Sequence, residues 1–328
     1  MKDIIQIMVV FAILLTVIPS IVFLNADGAE QNVSAKMSDT ADIAVYFTET
    51  GKTENYTLEE YMIGSVLAQM PSDFDEEALK AQAVLAHTYI NRRMLTESQS
   101  PTAALNGALI SDDANLYQGF FTEKAAKEYY GDDYESAYKK VKKAVDEVSD
   151  EILTYEGEPI IVAFHAASSG YTQSAKAAWG EDIPYLQSVK SESDKNLEGA
   201  ECTATLTAED LEEKLSQVFP EIEFTELSSA NDWLQTKRDD TGYVISLTVC
   251  GSAVDPNRFC EILDISSPCF EYEFRNTKFT FKSKGFGHLV GMSQYGANSM
   301  SKEGADHKDI LSHYFPQTKL ITENAPDA

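Results

Sequence analysis

The stretch VLAQMPSDFDEEALKAQAVLAHTY, Val66 to Tyr89, sets a proline between two runs of helix-forming residues. Pro71 has no amide hydrogen to donate and drives the residue before it out of the helical region, so one helix must end at Met70. Thr57 opens that helix, because Thr57 and Glu60 stand at capping-box spacing ahead of Tyr61, Met62, Val66 and Met70. After the polar SDFDEE, with Asp75 at the N-cap, a second helix is predicted from Glu76 to Leu95, carrying Leu79, Ala83, Ala86 and Ile90 on one stripe. Its alanines let a neighbour come close. The chain is thus committed early to a helical pair, and an uncharged amide, Gln69, stands at the hinge.

Downstream, TEKAAKEYYGDDYESAYKKVKKAVDEVSDEIL predicts helix broken at Gly131, and EILTYEGEPIIVAFHAASSG predicts strands about a Glu156-Gly157 turn. A helix over TAEDLEEKLSQVF is capped by Thr207 and Asp210, strands follow in YVISLTVCGSAV and KFTFKSKGFG, and HKDILSHYF is a short helix before Pro316. Helices, then strands, then a mixed region point to an α+β fold and not to a doubly wound sheet. The helical pair should pack on mixed antiparallel strands, as a single large domain or two tightly packed subdomains. At 328 residues and 43% apolar content, the chain can bury a substantial core.

Residues 4–24, IIQIMVVFAILLTVIPSIVFL, form an apolar run of about the length that spans a bilayer. An uncleaved membrane anchor over residues 1–24 is the preferred reading; the alternative is a signal peptide, for which Ala26-Asp27-Gly28 is a weak cleavage site. With Lys2 cytoplasmic, everything beyond Asn25 lies outside, so a single-pass protein of the cell membrane with an extracytoplasmic domain is expected. Residues 25–41 are small and polar and read as a tether, 42–320 as the folded region, and 321–328 as a tail. The net charge of -27 argues against a nucleic-acid partner, since phosphate binding rests on Lys and Arg. Cys202, Cys250, Cys260 and Cys269 have no C-x-x-C pair or neighbouring His, so no metal is expected, and at least two should be buried as small hydrophobes.

Three further stretches carry polar residues in unusual company. In GFGHLVGMSQYGA, Gly285 to Ala297, four glycines surround His288, Ser293, Gln294 and Tyr295, a loop whose backbone can approach a ligand; a tight turn feeding a helix is the alternative. In FHAASSGYT, His165 ends a strand before Ser168, Ser169 and Gly170. A serine nucleophile would want G-x-S-x-G, which is absent, so a structural His is the simpler reading. In AWGEDIPYLQSVKSESD, Trp179, Tyr185 and Asp194 combine rings and a carboxylate, as a sugar-binding cleft requires, although Trp179 serves equally well in packing.

Taken together and in this order, these stretches resemble the stage II sporulation protein D family, shared with the amidase-enhancer proteins, over roughly residues 42 to 320. The resemblance implies a membrane-anchored lytic transglycosylase that cuts peptidoglycan glycan strands in septal wall remodelling and engulfment during sporulation. It needs no cofactor, and its partners resemble the stage II sporulation proteins M and P. In such an enzyme a carboxylic acid protonates the leaving glycosidic oxygen and then, as base, takes a proton from the sugar's own 6-hydroxyl, closing an anhydro ring. The family places that acid, a Glu, where this chain has Gln69.

Other cleft positions of the family fall on His87, where Arg is usual, and on Tyr185 and Asp194, which match; with Gln69 these three form the expected catalytic set. His165, Ser168, Ser169, Trp179, His288, Ser293, Gln294 and Tyr295 are the expected substrate-binding residues. The family's zinc-binding members carry a Cys where Tyr117 precedes Gln118 here, which argues against the metal. Two readings follow. Either glycan is cut with another acid, among Asp73, Asp75, Glu76, Glu77 and Asp194, or the chain is a silent glycan binder that positions or stimulates a peptidoglycan amidase. The largely intact motifs tilt the sequence toward cleavage as the class of activity.

Overall fold

The computed structural model describes residues 43–323; the apolar run, the tether and the last five residues of the tail lie outside that range. Among the described residues no helix is long and apolar enough to cross a membrane. The fold is α+β, with helices set among small sheets whose strands mostly run antiparallel. The described chain divides into two compact units, residues 43–162 joined by 300–323, and residues 163–299.

In the first unit the hinge forms as the proline dictates. The helix Leu58–Gln69 begins with a complete capping box: the Thr57 hydroxyl accepts from the Glu60 amide at 3.1 Å, and the Glu60 carboxylate accepts from the Thr57 amide at 2.8 Å. It ends where Met70 turns extended, with φ at -129°. The second helix, Glu76–Gln99, outruns the predicted end by a turn. An Arg93–Glu97 pair braces that turn, and Glu97 also accepts from the amide and hydroxyl of Thr102 at 2.7 Å each. Asp75 is not a side-chain cap, because its carboxylate is taken by the Ser301 hydroxyl.

These two helices pack on each other and on Tyr134–Glu147, and the longer one lies along the strand Glu151–Tyr155. The predicted Glu156-Gly157 turn has φ of 52° and 87°, the left-handed pair that closes a two-residue hairpin. On its other edge the same strand pairs antiparallel with Lys319–Thr322, and the helix His307–Tyr314 packs on Glu76–Gln99. The C-terminal segment is thereby stitched to the helical pair.

The second unit is built around an aromatic core of Trp233, Phe259, Phe270, Phe279 and Phe281. One antiparallel sheet runs Phe270–Arg275, Lys278–Lys284, Glu201–Thr207, and another joins Leu234–Arg238, Val244–Val249 and Ser252–Val254. Glu201–Thr207 escaped the sequence reading because no residue along it is fully buried, which leaves little apolar alternation to detect. The short strands Phe164–His165 and Met292–Ser293 pair in parallel, and residues 160–163 before them belong to no strand. Of the cysteines only Cys260 is fully buried, fewer than expected; Cys250 sits in a hairpin turn with φ at 47°.

Candidate functional site

Gln69 occupies the last turn of its helix and is 2% exposed. Its amide Nε2 donates to the carbonyl of Gly119 at 2.8 Å. The loop that supplies this carbonyl is fixed by three contacts to the same helix. Tyr61 donates its hydroxyl to Gln118 Oε1 at 3.0 Å, the Phe120 ring stacks on Tyr61 with centroids 5.7 Å apart, and the Phe121 amide donates to Gly64 O at 3.1 Å. Gly64 is required for this approach, since a Cβ there would lie 2.4 Å from both Phe120 and the Phe121 carbonyl. Sequence reasoning singled out Gln69 but not Gly119; the only signal was an aromatic pair beside a glycine in YQGFF.

His87, on the long helix, is 1% exposed, with Nδ1 3.1 Å from the carbonyl of Glu151. Its Nε2 is 3.2 Å from a Glu323 carboxylate oxygen, without the alignment of a hydrogen bond. The ring therefore faces the strand and C-terminal segment that pack beside it.

Two of the acids near the hinge, Glu76 and Glu77, are held ionised. Burial would raise Glu77, but Lys80 and both the amide and ring of His307 outweigh it and hold its carboxyl at about 2. A hydrogen bond from Lys143 lowers Glu76. A carboxyl held that low keeps no proton to give at neutral pH.

In the second unit Asp194 is 2% exposed, and its Oδ2 accepts from the Ser168 amide at 2.8 Å and the Ser168 hydroxyl at 2.7 Å. Burial pushes its carboxyl up, and the hydroxyls of Ser168, Ser293 and Ser191 oppose the shift. Oδ1 is buried with no hydrogen bond of ordinary geometry. Of the acids proposed as substitutes for residue 69, Asp194 alone has a shift that favours holding a proton.

His165 and His288 meet with ring centroids 6.2 Å apart, and Trp179 lies 5.4 Å from His288. Ser293 and Gln294 are buried, as is Tyr185, while Ser169, Trp179 and Tyr295 are half-buried. Among the expected residues, then, Gln69 and His87 belong to the first unit and all the others to the second. No group of three or more His, Cys, Asp or Glu side chains able to hold a metal ion occurs among the described residues.

Comparison with known proteins finds relatives of the chain as a whole. The family model described as Stage II sporulation protein matches residues 46–155. The chain is 36% identical over 298 residues to Stage II sporulation protein D of Bacillus subtilis (strain 168), covering 90% of this chain and 84% of that protein. Its identity to the Bacillus amyloliquefaciens protein of the same name is 37% over 274 residues, covering 83% and 76%. It is also 26% identical to the Amidase enhancer of Bacillus subtilis (strain 168), over 40% of that longer protein.

Proposed function

The chain belongs to the stage II sporulation protein D family, and from that premise we propose that it acts on peptidoglycan glycan strands during sporulation, with position 69 gripping the strand instead of cutting it. The observation that carries this reading is the Gln69 amide, buried and donating to the Gly119 carbonyl. An amide can donate and accept hydrogen bonds to a sugar, but it cannot surrender a proton to a leaving oxygen. Losing a general acid typically costs about 10²- to 10⁴-fold in rate. His87 acts here as a positioning residue, holding the long helix against Glu151. The 1–24 segment anchors the protein in the membrane with the folded units outside, where strand, amidase and the stage II sporulation proteins M and P are within reach.

One observation supports a second reading. Burial raises the Asp194 carboxyl, the direction a general acid needs, so cleavage of the lytic transglycosylase type would run through Asp194, with Tyr185 and the 288–295 loop on the strand.

Incubation of the protein with peptide-free glycan strands, read by mass spectrometry for anhydro-ended fragments, separates the two. Gripping predicts fragments from Gln69→Glu and none from the wild type. Equal release by both, abolished by Asp194→Asn, would establish the second reading and overturn the first.

A further inference from the structure

Two imidazoles in the 163–299 unit are fixed in opposite tautomers, and a single residue fixes both. His165 Nδ1 lies 3.2 Å from the carbonyl oxygen of Val290. A carbonyl only accepts, so the proton sits on Nδ1 and Nε2 is left as a bare lone pair. His288 Nδ1 accepts from the Val290 amide at 3.0 Å. An amide only donates, so the His288 proton sits on Nε2. Burial keeps both rings neutral: His165 is brought down to about 4, and His288 to about 3, with His165 adding to the effect. The pair offers one acceptor and one donor and carries no charge at neutral pH.

The acceptor has no answer within the protein. His165 is 3% exposed and its Nε2 is buried without a hydrogen-bond partner. Half-buried His288 meets it edge-on, their planes 62° apart, and Trp179 meets His288 at the same tilt. The loop lies this close because residue 287 is a glycine with φ at 95°, where a Cβ would stand 3.3 Å from His165 Cβ. The tautomers narrow what fits to a group with one donor and one acceptor, such as a hydroxyl or a secondary amide. An anion needs two donors and finds one. A metal ion needs two lone pairs, but the one on His288 is already taken by Val290. An ammonium group brings donors alone and leaves the His288 N–H unanswered. A secondary amide brings one N–H and one C=O, and in an amino-sugar polymer it ends in a methyl group suited to an indole face.

We propose that His165, His288 and Trp179 form a subsite for the acetamido group of an amino sugar. The group enters beside the His288 ring, donates its N–H to His165 Nε2, accepts from His288 Nε2 and sets its methyl on Trp179. This subsite rests on the glycan reading above and specifies which feature of the strand is read.

The test is calorimetric titration of the full chain with two neutral tetramers: that of N-acetylglucosamine, and cellotetraose, which has a hydroxyl in place of each acetamido group. The first is expected to bind at least about tenfold more tightly, because a site built for an amide rejects the analogue lacking it. His288→Phe keeps a ring beside Trp179 and should weaken the N-acetylated tetramer about tenfold while leaving cellotetraose unchanged. Nitrogen-15 spectra of the wild type at neutral pH should place the proton on Nδ1 of His165 and on Nε2 of His288, a readout independent of binding. Equal affinity for the two tetramers, parallel loss of both in His288→Phe, or the same tautomer in both rings would overturn the subsite and leave the glycan reading standing. Failure of both tetramers to bind would overturn the two together.

Discussion

Gln69 and Asp194 are equally hidden from water, each 2% exposed, yet they face partners of opposite sense. Gln69 meets a backbone carbonyl, which demands a donor; Asp194 meets an amide and a hydroxyl, which supply donors. A neutral side chain fits the first place at no electrostatic cost. The second accepts a carboxylate, with burial working against the charge and Ser168 working for it. Burial alone therefore says little about what a polar residue can do; the polarity of its nearest partner decides whether it gives or receives hydrogen.

The strongest way to break this contrast is to move the carbonyl. Gly64→Ala puts a Cβ 2.4 Å from the Phe120 ring and the Phe121 carbonyl, so the loop must lift off the helix. A loss of about 3 kcal/mol is expected in denaturant unfolding, at the upper end for overpacking. The Asp194 side is tested by Ser168→Ala, which removes the hydroxyl that donates to the carboxylate and keeps the amide. It should cost about 2 kcal/mol in the same assay and push the Asp194 carboxyl further up when followed by carbon-13 titration.

The sequence made the helical side of this comparison readable and left much of the other side dark. Pro71 and the Thr57 and Thr207 boxes are local rules, and each formed as read, because capping involves residues three apart. The Glu156-Gly157 turn was legible for the same reason. Glu201–Thr207 and Phe270–Arg275 were not, since both owe their pairing to Lys278–Lys284, and one of those pairings spans more than seventy residues. Motifs named Gln69, His165, Asp194 and His288. What they could not name were the backbone partners that set the roles of residue 69 and the two imidazoles, the carbonyl of Gly119 and the amide and carbonyl of Val290, groups whose identity as residues is nearly irrelevant. Asp75 failed as a cap for a related reason, a competing hydroxyl far away in the chain.

Smaller effects sharpen the comparison within the first unit. Glu77 shows that this unit stabilises an ionised carboxyl where Lys80 and His307 supply the donors. Because its folded value, about 2, lies below the ordinary 4.5, its contribution is complete above 4.5 and is lost as pH falls toward 2. Glu77→Gln should remove that acid-side loss, about 1 kcal/mol after solvent screening, from a stability profile between those limits. The smallest change expected is Thr57→Gly, a few tenths of a kcal/mol for replacing the cap at the far end of the Gln69 helix. Thermal unfolding would register it as a slight shift, with glycan binding untouched.

The central claim is that the Gly119 carbonyl requires residue 69 to donate hydrogen. Gln69→Glu, labelled with carbon-13 and titrated by NMR, tests it directly. A carboxyl facing that carbonyl in a buried site should hold its proton well above the ordinary glutamate range. Such a variant is accordingly destabilised relative to the wild type as pH rises from there through its folded value. Titration at or below the ordinary value would mean that residue 69 is free to carry charge, and the account of this position would be wrong.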